Sequence, residues 1–208
     1  MKIKVCGMKY PENMNEVIAL KPDFMGFIFY EKSPRYAEPL DVEFLNSFPR
    51  SVLKIGVFVD ASLDEILEVV KRYTLNGVQL HGRESEEMCY TFRSAGLLVL
   101  KAFPIAEAAD FARTEEYEGT CDLYVFDTKT PAHGGSGQKF DWSTLAAYEG
   151  QTPFLLSGGI GPDDAAAIKA ISHPRLRGVD LNSRFEITPG NKNAALLSGF
   201  FSEITDCK

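Results

Sequence analysis

Eight short apolar, β-branched runs recur along this chain, and the stretches between them are long enough for a helix. That alternation constrains the fold more than any single residue does. The runs are Ile3–Val5, Phe24–Phe29, Leu53–Val59, Gly77–Leu80, Leu98–Ala102, Leu123–Phe126, Pro153–Leu156 and Gly178–Leu181. Their spacing averages about 25 residues, the size of one strand–helix unit. Most are apolar on both faces, as strands of a parallel sheet are when helices cover them. Eight such units predict an α/β fold, a closed (β/α)8 TIM barrel, with residues 1–208 forming one domain. The rival is a doubly wound open sheet, but no G-x-G-x-x-G follows the first strand.

The intervening segments carry helix signals. Leu63, Ile66, Leu67 and Val70 share one face at helical spacing, and Ser62 with Glu65 forms a capping box ahead of them. Pro162 fits a first helical turn, with Asp163 and Asp164 near the positive end of the helix dipole. In a barrel the strand carboxyl ends converge on one mouth. The residues placed there are Cys6 and Gly7, Phe29 with Ser33-Pro34-Arg35, Asp60, His81, Phe103, Asp127, Ser157-Gly158-Gly159, and Asp180 with Asn182-Ser183. The stretch Asp122–Trp142 is the most telling: a strand ending in Asp127, a loop containing Gly134, Gly135 and Gly137 with the composition of a mobile lid, then a helix start at Asp141.

Bulk properties narrow the function. A chain that is 45% hydrophobic over 208 residues can bury a core without a disulfide or metal staple. Its net charge of −7 argues against nucleic acid or an anionic membrane as partner. A small phosphorylated ligand stays compatible, because backbone N–H groups hold phosphate without net positive charge. The cysteines, Cys6, Cys89, Cys121 and Cys207, form no C-x-x-C pair and no Cys/His cluster of zinc spacing, so no metal is expected. No apolar run suits a bilayer span, and MKIKVCGM reads as a strand rather than a leader. These features together predict a cytoplasmic protein with reduced thiols.

The mouth residues permit a definite chemistry. Gly158 and Gly159 follow the seventh strand, where this fold recurrently holds phosphate, although two glycines also simply make a turn. Cys6 and Asp127 face each other across the mouth and could exchange protons with a bound sugar. The plainer readings are a buried thiol and a loop-capping carboxylate. A guanidinium at Arg35 suits a carboxylate ligand, or else a surface ion pair. His81, at the mouth of strand 4, reads equally as a ligand contact or a structural histidine. His133 and His173 receive no role. Lys101 offers a Schiff-base amine or, on the preferred reading, a counter-charge to carboxylates that face it.

Seven stretches, in order and spanning nearly the whole chain, resemble one family. They are KVCGM (Lys4–Met8), GFIFYEKSPR (Gly26–Arg35), GVFVD (Gly56–Asp60), VQLHG (Val78–Gly82), FDTKTPAHGGSGQKFDW (Phe126–Trp142), LSGGIGPDD (Leu156–Asp164) and GVDLNSRFEITPGNK (Gly178–Lys192). The family is phosphoribosylanthranilate isomerase of tryptophan biosynthesis. The resemblance implies an Amadori rearrangement of N-(5-phosphoribosyl)anthranilate to 1-(2-carboxyphenylamino)-1-deoxyribulose 5-phosphate, without metal or cofactor. It implies Cys6 as general base, Asp127 as general acid and Arg35 as holder of the anthranilate carboxylate. Gly158, Gly159, Asn182 and Ser183 would cradle the phosphate, and Asp180 would line the site near the anthranilate amine. The partner would be a small phosphorylated substrate, with the protein a monomer or homodimer.

One departure stands out. The family usually carries a Ser-Ser-Gly-like run where this chain has Asn182-Ser183-Arg184. Arg184 would be strained if the position needs a positive φ, or it would supply charge toward the phosphate, or point to solvent. The alternatives weighed are the related sugar isomerase of histidine biosynthesis, a Schiff-base aldolase on Lys101, and a non-enzymatic phosphate-binding barrel. The first uses an aspartate where this chain has Cys6, and it has a second phosphate motif not found around Gly82 or Phe103. The last would need neither Cys6 nor Asp127.

Overall fold

The computed structural model describes residues 1–129, 137 and 139–205. The lid assigned to Gly134 and Gly135, together with His133 and Cys207, lies outside the described residues; Gly137 lies within them, at φ +70°. Eight parallel strands close into a barrel in sequence order: β1 (Lys2–Val5), β2 (Phe24–Ile28), β3 (Leu53–Phe58), β4 (Gly77–Leu80), β5 (Leu98–Ile105), β6 (Leu123–Thr128), β7 (Phe154–Leu156) and β8 (Leu176–Leu181). The expected α/β barrel is therefore the observed one, and β1 pairs with β8 across the closing seam.

The pleat divides each strand into two sets of side chains. One set packs inside the barrel, where Phe24, Ile55, Leu100, Ala102, Leu123, Val125 and Leu155 form a continuous apolar plug. The other set, including Val5, Phe27, Phe58, Val78, Phe103, Phe126 and Phe154, packs against the outer layer. This two-sided burial explains the near-continuous apolar runs of the sequence. Above the plug the inward positions become polar, and that change of character creates the mouth.

The outer layer contains α1 (Pro11–Ala19), α2 (Val42–Asn46), α3 (Leu63–Tyr73), α4 (Glu86–Ser94), α5 (Ala165–Lys169) and α6 (Ala194–Thr205). The capping box ahead of α3 is present: the Glu65 amide donates to Ser62 Oγ at 3.4 Å and the Ser62 amide to Glu65 Oε2 at 2.8 Å. Two expected helices are 3₁₀ segments instead, Ala108–Tyr117 after β5 and Trp142–Ala147 after β6. In the first, the Thr114 hydroxyl donates to the Phe111 carbonyl at 2.7 Å, a local side-chain bond that competes with the α-helical ladder. In the second, Asp141 caps only a short turn, accepting from the Ser143 amide at 2.9 Å. Pro162 likewise opens a 3₁₀ turn, Pro162–Asp164, before α5 begins. Among the described residues no helix is long and apolar enough to cross a membrane.

Beyond β8 a small antiparallel hairpin appears that the sequence reading lacked, β9 (Glu186–Thr188) with β10 (Asn191–Lys192). It brings Glu186 and Lys192 to the mouth.

Lys101 does not reach the mouth, which corrects its assignment as a Schiff-base amine. Its β5 register points it outward, toward the layer that holds Phe103. Its Nζ donates to the Leu80 and Gly82 carbonyls at 3.2 and 2.8 Å and to Glu84 Oε2 at 3.1 Å. The preferred reading, a counter-charge to a facing carboxylate, fits this arrangement, with Glu84 as the carboxylate. Glu84 also accepts from the Asp60 and Gly82 amides, so it ties the ends of β3 and β4 together. Removing one member of such a buried pair strands the other. Lys101→Met should lower the unfolding free energy by about 3–5 kcal/mol, read from the urea midpoint. Lys101→Met combined with Glu84→Gln should regain much of that loss. A single-variant loss below about 1 kcal/mol would mean that the pair does not hold this corner.

Candidate active site

The inward, polar ends of the strands meet in one pocket. Cys6, Arg35, His81, Asp127, Gly158, Gly159, Asp180, Asn182 and Ser183 all line it. Every site residue expected from the sequence is therefore brought together. Of the other residues placed at the mouth, Gly7, Phe29, Pro34, Asp60 and Phe103 do not line the pocket. Asp60 turns away, accepting from the Arg83 amide at 2.6 Å, and Phe103 packs in the outer core.

Asp127 is next to last in β6 and nearly buried. Its Oδ1 accepts from the Thr128 amide at 2.9 Å, and its Oδ2 lies 3.4 Å from His81 Nε2. Behind His81, Gln79 Nε2 stands 3.2 Å from Nδ1, so the imidazole is held between an amide and a carboxylate. A Gln79 amide N–H on Nδ1 leaves Nε2 as the protonated nitrogen toward Asp127. Asp127 thus caps its own strand end while presenting its second oxygen to the pocket. The capping reading is met, and the position at the pocket is the one a proton donor would need.

Cys6 sits just past β1, buried, on the same inner face as Lys4. Lys4 is wholly buried, and its Nζ lies 3.0 Å from both oxygens of Asp180 on β8. Burial opposes the Lys4 charge, but Asp180 and Cys6 beside it outweigh that and hold its pKa above the ordinary value. Burial pushes the Cys6 thiol up, and it stays above its ordinary value although Lys4 pulls it part of the way down. Gly26 on the adjacent β2 makes room for this arrangement. A Cβ there would stand 2.9 Å from Cys6 Sγ.

Arg35 follows a tight turn in which its own amide donates to Ser33 Oγ at 3.1 Å. Its guanidinium makes a two-pronged pair with Glu186: Nε donates at 2.9 Å to Oε1 and Nη2 at 2.7 Å to Oε2. That uses one edge of the fork. The Nη1 side remains for a second planar anion. Lys192, buried below, donates to Glu186 Oε1 and to Asn182 Oδ1, each at 2.7 Å. Burial brings the Lys192 amine down to about 8, against the pull of Glu186. Glu186 is held below the usual carboxylate range by Arg35 and Lys192, despite the opposing effect of burial.

Gly158 and Gly159 follow β7 with φ of +86° and +64°, left-handed values that favour glycine. A side chain on Gly158 would also strike the Thr128 hydroxyl. The turn therefore exposes backbone to the pocket where β7 and β8 end. Arg184 lies in a 3₁₀ turn, Ser183–Phe185, and is not among the residues of positive φ. The strain envisaged for it does not arise. It is exposed, and its Nε comes within 3.5 Å of the point where a Gly161 Cβ would stand.

Lys4, Gln79, Glu186 and Lys192 belong to the site and were not read from the sequence. For Lys4 and Gln79 the signal was there: each lies two residues before a recognised site residue in a strand and so on the same face. Glu186 and Lys192 sit on a hairpin with no apolar run to announce it. Among the described residues no cluster of three or more His, Cys, Asp or Glu side chains could hold a metal ion.

Comparison with known proteins agrees with this geometry. The family profile described as N-(5'-phosphoribosyl)anthranilate (PRA) isomerase matches residues 3–203. A relative from Parabacteroides distasonis, named N-(5'-phosphoribosyl)anthranilate isomerase, is 50% identical over 206 residues, covering 98% of this chain and 93% of its own. The crystal structure of phosphoribosyl anthranilate isomerase from Thermotoga maritima superposes with a TM-score of 0.87 at 34% identity, covering 98% of each chain. A second crystal structure shows a phosphoribosyl anthranilate isomerase in complex with reduced 1-(o-carboxyphenylamino)-1-deoxyribulose 5-phosphate. It superposes with a TM-score of 0.82 at 30% identity, again over 98% of each chain. The chain belongs to the N-(5'-phosphoribosyl)anthranilate isomerase family.

Proposed function

We propose that this protein isomerises N-(5'-phosphoribosyl)anthranilate to 1-(2-carboxyphenylamino)-1-deoxyribulose 5-phosphate, with Asp127 as general acid and Cys6 as general base. The observation that carries the reading is one pocket lined by both groups, by an arginine and by a glycine turn. The substrate has two anionic ends and a ribose between them. Arg35 suits the carboxylate, because its Nη1 side is unused by Glu186. Gly158 and Gly159, with Asn182 and Ser183, suit the phosphate through backbone N–H groups and short polar side chains. His81 and Asp180 line the same pocket, and in this reading Asp180 stands near the anthranilate amine.

The reaction then needs only two proton transfers by the protein. Asp127 protonates the ribose ring oxygen, the bond from that oxygen to C1 breaks, and the nitrogen lone pair forms an iminium. Cys6, as thiolate, takes the proton from C2, and the electron pair neutralises the iminium to give an enolamine. Tautomerisation returns a proton to C1 and leaves a ketone at C2. The iminium is itself the electron sink, so the chemistry asks for neither metal nor cofactor. All these residues come from one chain, so the site is the same in a monomer or a homodimer. In this reading residues 1–208 act as one domain, in the cytoplasm.

Each positioned acid or base contributes about 10²–10⁴-fold in rate. Asp127→Asn should therefore cut kcat by about two to four powers of ten with KM little changed, read from the fluorescence decay of the anthranilate substrate. Near-normal turnover would remove Asp127 as the acid. Cys6→Ala should lose as much or more, and full activity there would require another base. Arg35→Ala should act mainly on KM, raising it roughly tenfold to a hundredfold for the loss of a charge-assisted contact. An unchanged KM would take the guanidinium out of the substrate's reach.

A further inference from the structure

A thiol acts as a base only when ionised, and burial works against that at Cys6. Lys4 answers the difficulty. It is fully buried on the inner face of β1, two residues before Cys6, and it does not itself line the pocket. A Cβ on Gly26 would stand 3.1 Å from Lys4 Nζ and 2.9 Å from Cys6 Sγ, so ammonium and sulfur share the small space that this glycine leaves. With the ammonium set beside the sulfur in this way, its charge favours the thiolate. The ammonium is anchored from the other side by Asp180, with Nζ 3.0 Å from each carboxylate oxygen.

We propose that Lys4, anchored by Asp180, is the positioning residue that makes Cys6 a usable base, by donating a hydrogen bond to the sulfur and neutralising the thiolate as it forms. This rests on the reading of Cys6 as the base and adds the group that ionises it. An opposite charge within about 4–6 Å favours the ionised form of a buried acid. The charged groups facing the sulfur support the same account. Lys4 on β1 and Lys192 on β10 favour the thiolate, and Asp180 on β8 opposes it. Arg35 lies on the same side of the pocket, with Glu186 as its partner, while His81 and Asp127 face from across the mouth. On the Cys6 side, the cations Lys4, Lys192 and Arg35 stand against the carboxylates Asp180 and Glu186.

The test measures the thiol rather than the reaction. In the full chain, the rate of Cys6 alkylation by iodoacetamide is followed by mass spectrometry of the Cys6 peptide across pH. Lys4→Met should raise the midpoint of that profile by roughly one unit or more and slow alkylation at pH 8 by about tenfold. Lys4→Arg, which keeps the charge, should restore part of the rate. The acid limb of kcat should move up with the thiol midpoint while KM stays near its parent value. If Lys4→Met does not fold because Asp180 is left uncompensated, Lys4→Met with Asp180→Asn removes both charges, and a smaller rise in midpoint is expected, because Asp180 itself opposes the thiolate. A midpoint within about 0.3 units of the parent in the folded variant overturns the proposal. Full activity of Cys6→Ala would instead overturn the base assignment, leaving the effect of Lys4 on the thiol to be judged by its midpoint.

Discussion

The seam where β8 meets β1 is the joint on which the site depends. In that register Lys4 stands opposite Asp180, one buried cation against one buried carboxylate. Closing the sheet leaves no free edge, and it also forces alternate residues of every strand into a shared interior. A cation so buried costs several kcal/mol unless a partner meets it with good geometry. Here the partner comes from the last strand and the cation from the first, so the ion pair exists only in the closed barrel. Cys6 and Asn182, two residues further along each strand, then fall next to each other at the mouth, under Arg35 and beside the turn at Gly158 and Gly159.

The charges on this side of the pocket are graded in depth. Lys4 and Asp180 lie deepest, Lys192 and Glu186 are buried beside them, and Arg35 reaches outward from the pair it makes with Glu186. Each cation touches a carboxylate, as buried charges require, although Glu186 serves both Arg35 and Lys192. The fork of Arg35 is fixed along one edge by Glu186, and its rotamer is chosen before a ligand arrives. A preset side chain loses less freedom on binding, which favours an anion that presents a flat carboxylate. Opposite, the group of Gln79, His81 and Asp127 is spare and polar, and it holds one carboxylate oxygen toward the pocket.

Much of this was legible in the sequence because it follows from periodicity. Runs such as Leu53–Val59 and Leu98–Ala102 are apolar on both faces, and eight of them can be covered only in a closed, helix-wrapped sheet. Once strand ends are located, the mouth is a matter of counting, and Cys6, His81, Asp127 and Asp180 were found that way. What escaped was chemistry without a pattern of its own. Lys4 looked like a charge at the start of a chain, although its spacing from Cys6 already put it inside. Glu186 and Lys192 ride a short polar hairpin whose existence depends on contacts with Asn13 and Asn182, which are distant in sequence or set by turn geometry. The segment Ala108–Tyr117 has helix-forming residues, yet Thr114 and Asp110 spend their side chains on nearby backbone and leave a 3₁₀ path. Lys101 was placed by proximity to a strand end, when its register sends it to the outer face.

The central claim is that one sugar lies between the Cys6 sulfur and the Asp127 carboxyl with an anion held at either end. The most direct measurement is an experimental structure of this protein with the reduced product analogue bound. The account predicts the ribulose chain within hydrogen-bonding reach of both groups, its phosphate on the Gly158–Gly159 turn and its carboxylate on the open side of Arg35. An analogue bound with its phosphate away from that turn, or with its C1 and C2 atoms out of reach of either Cys6 or Asp127, would contradict it.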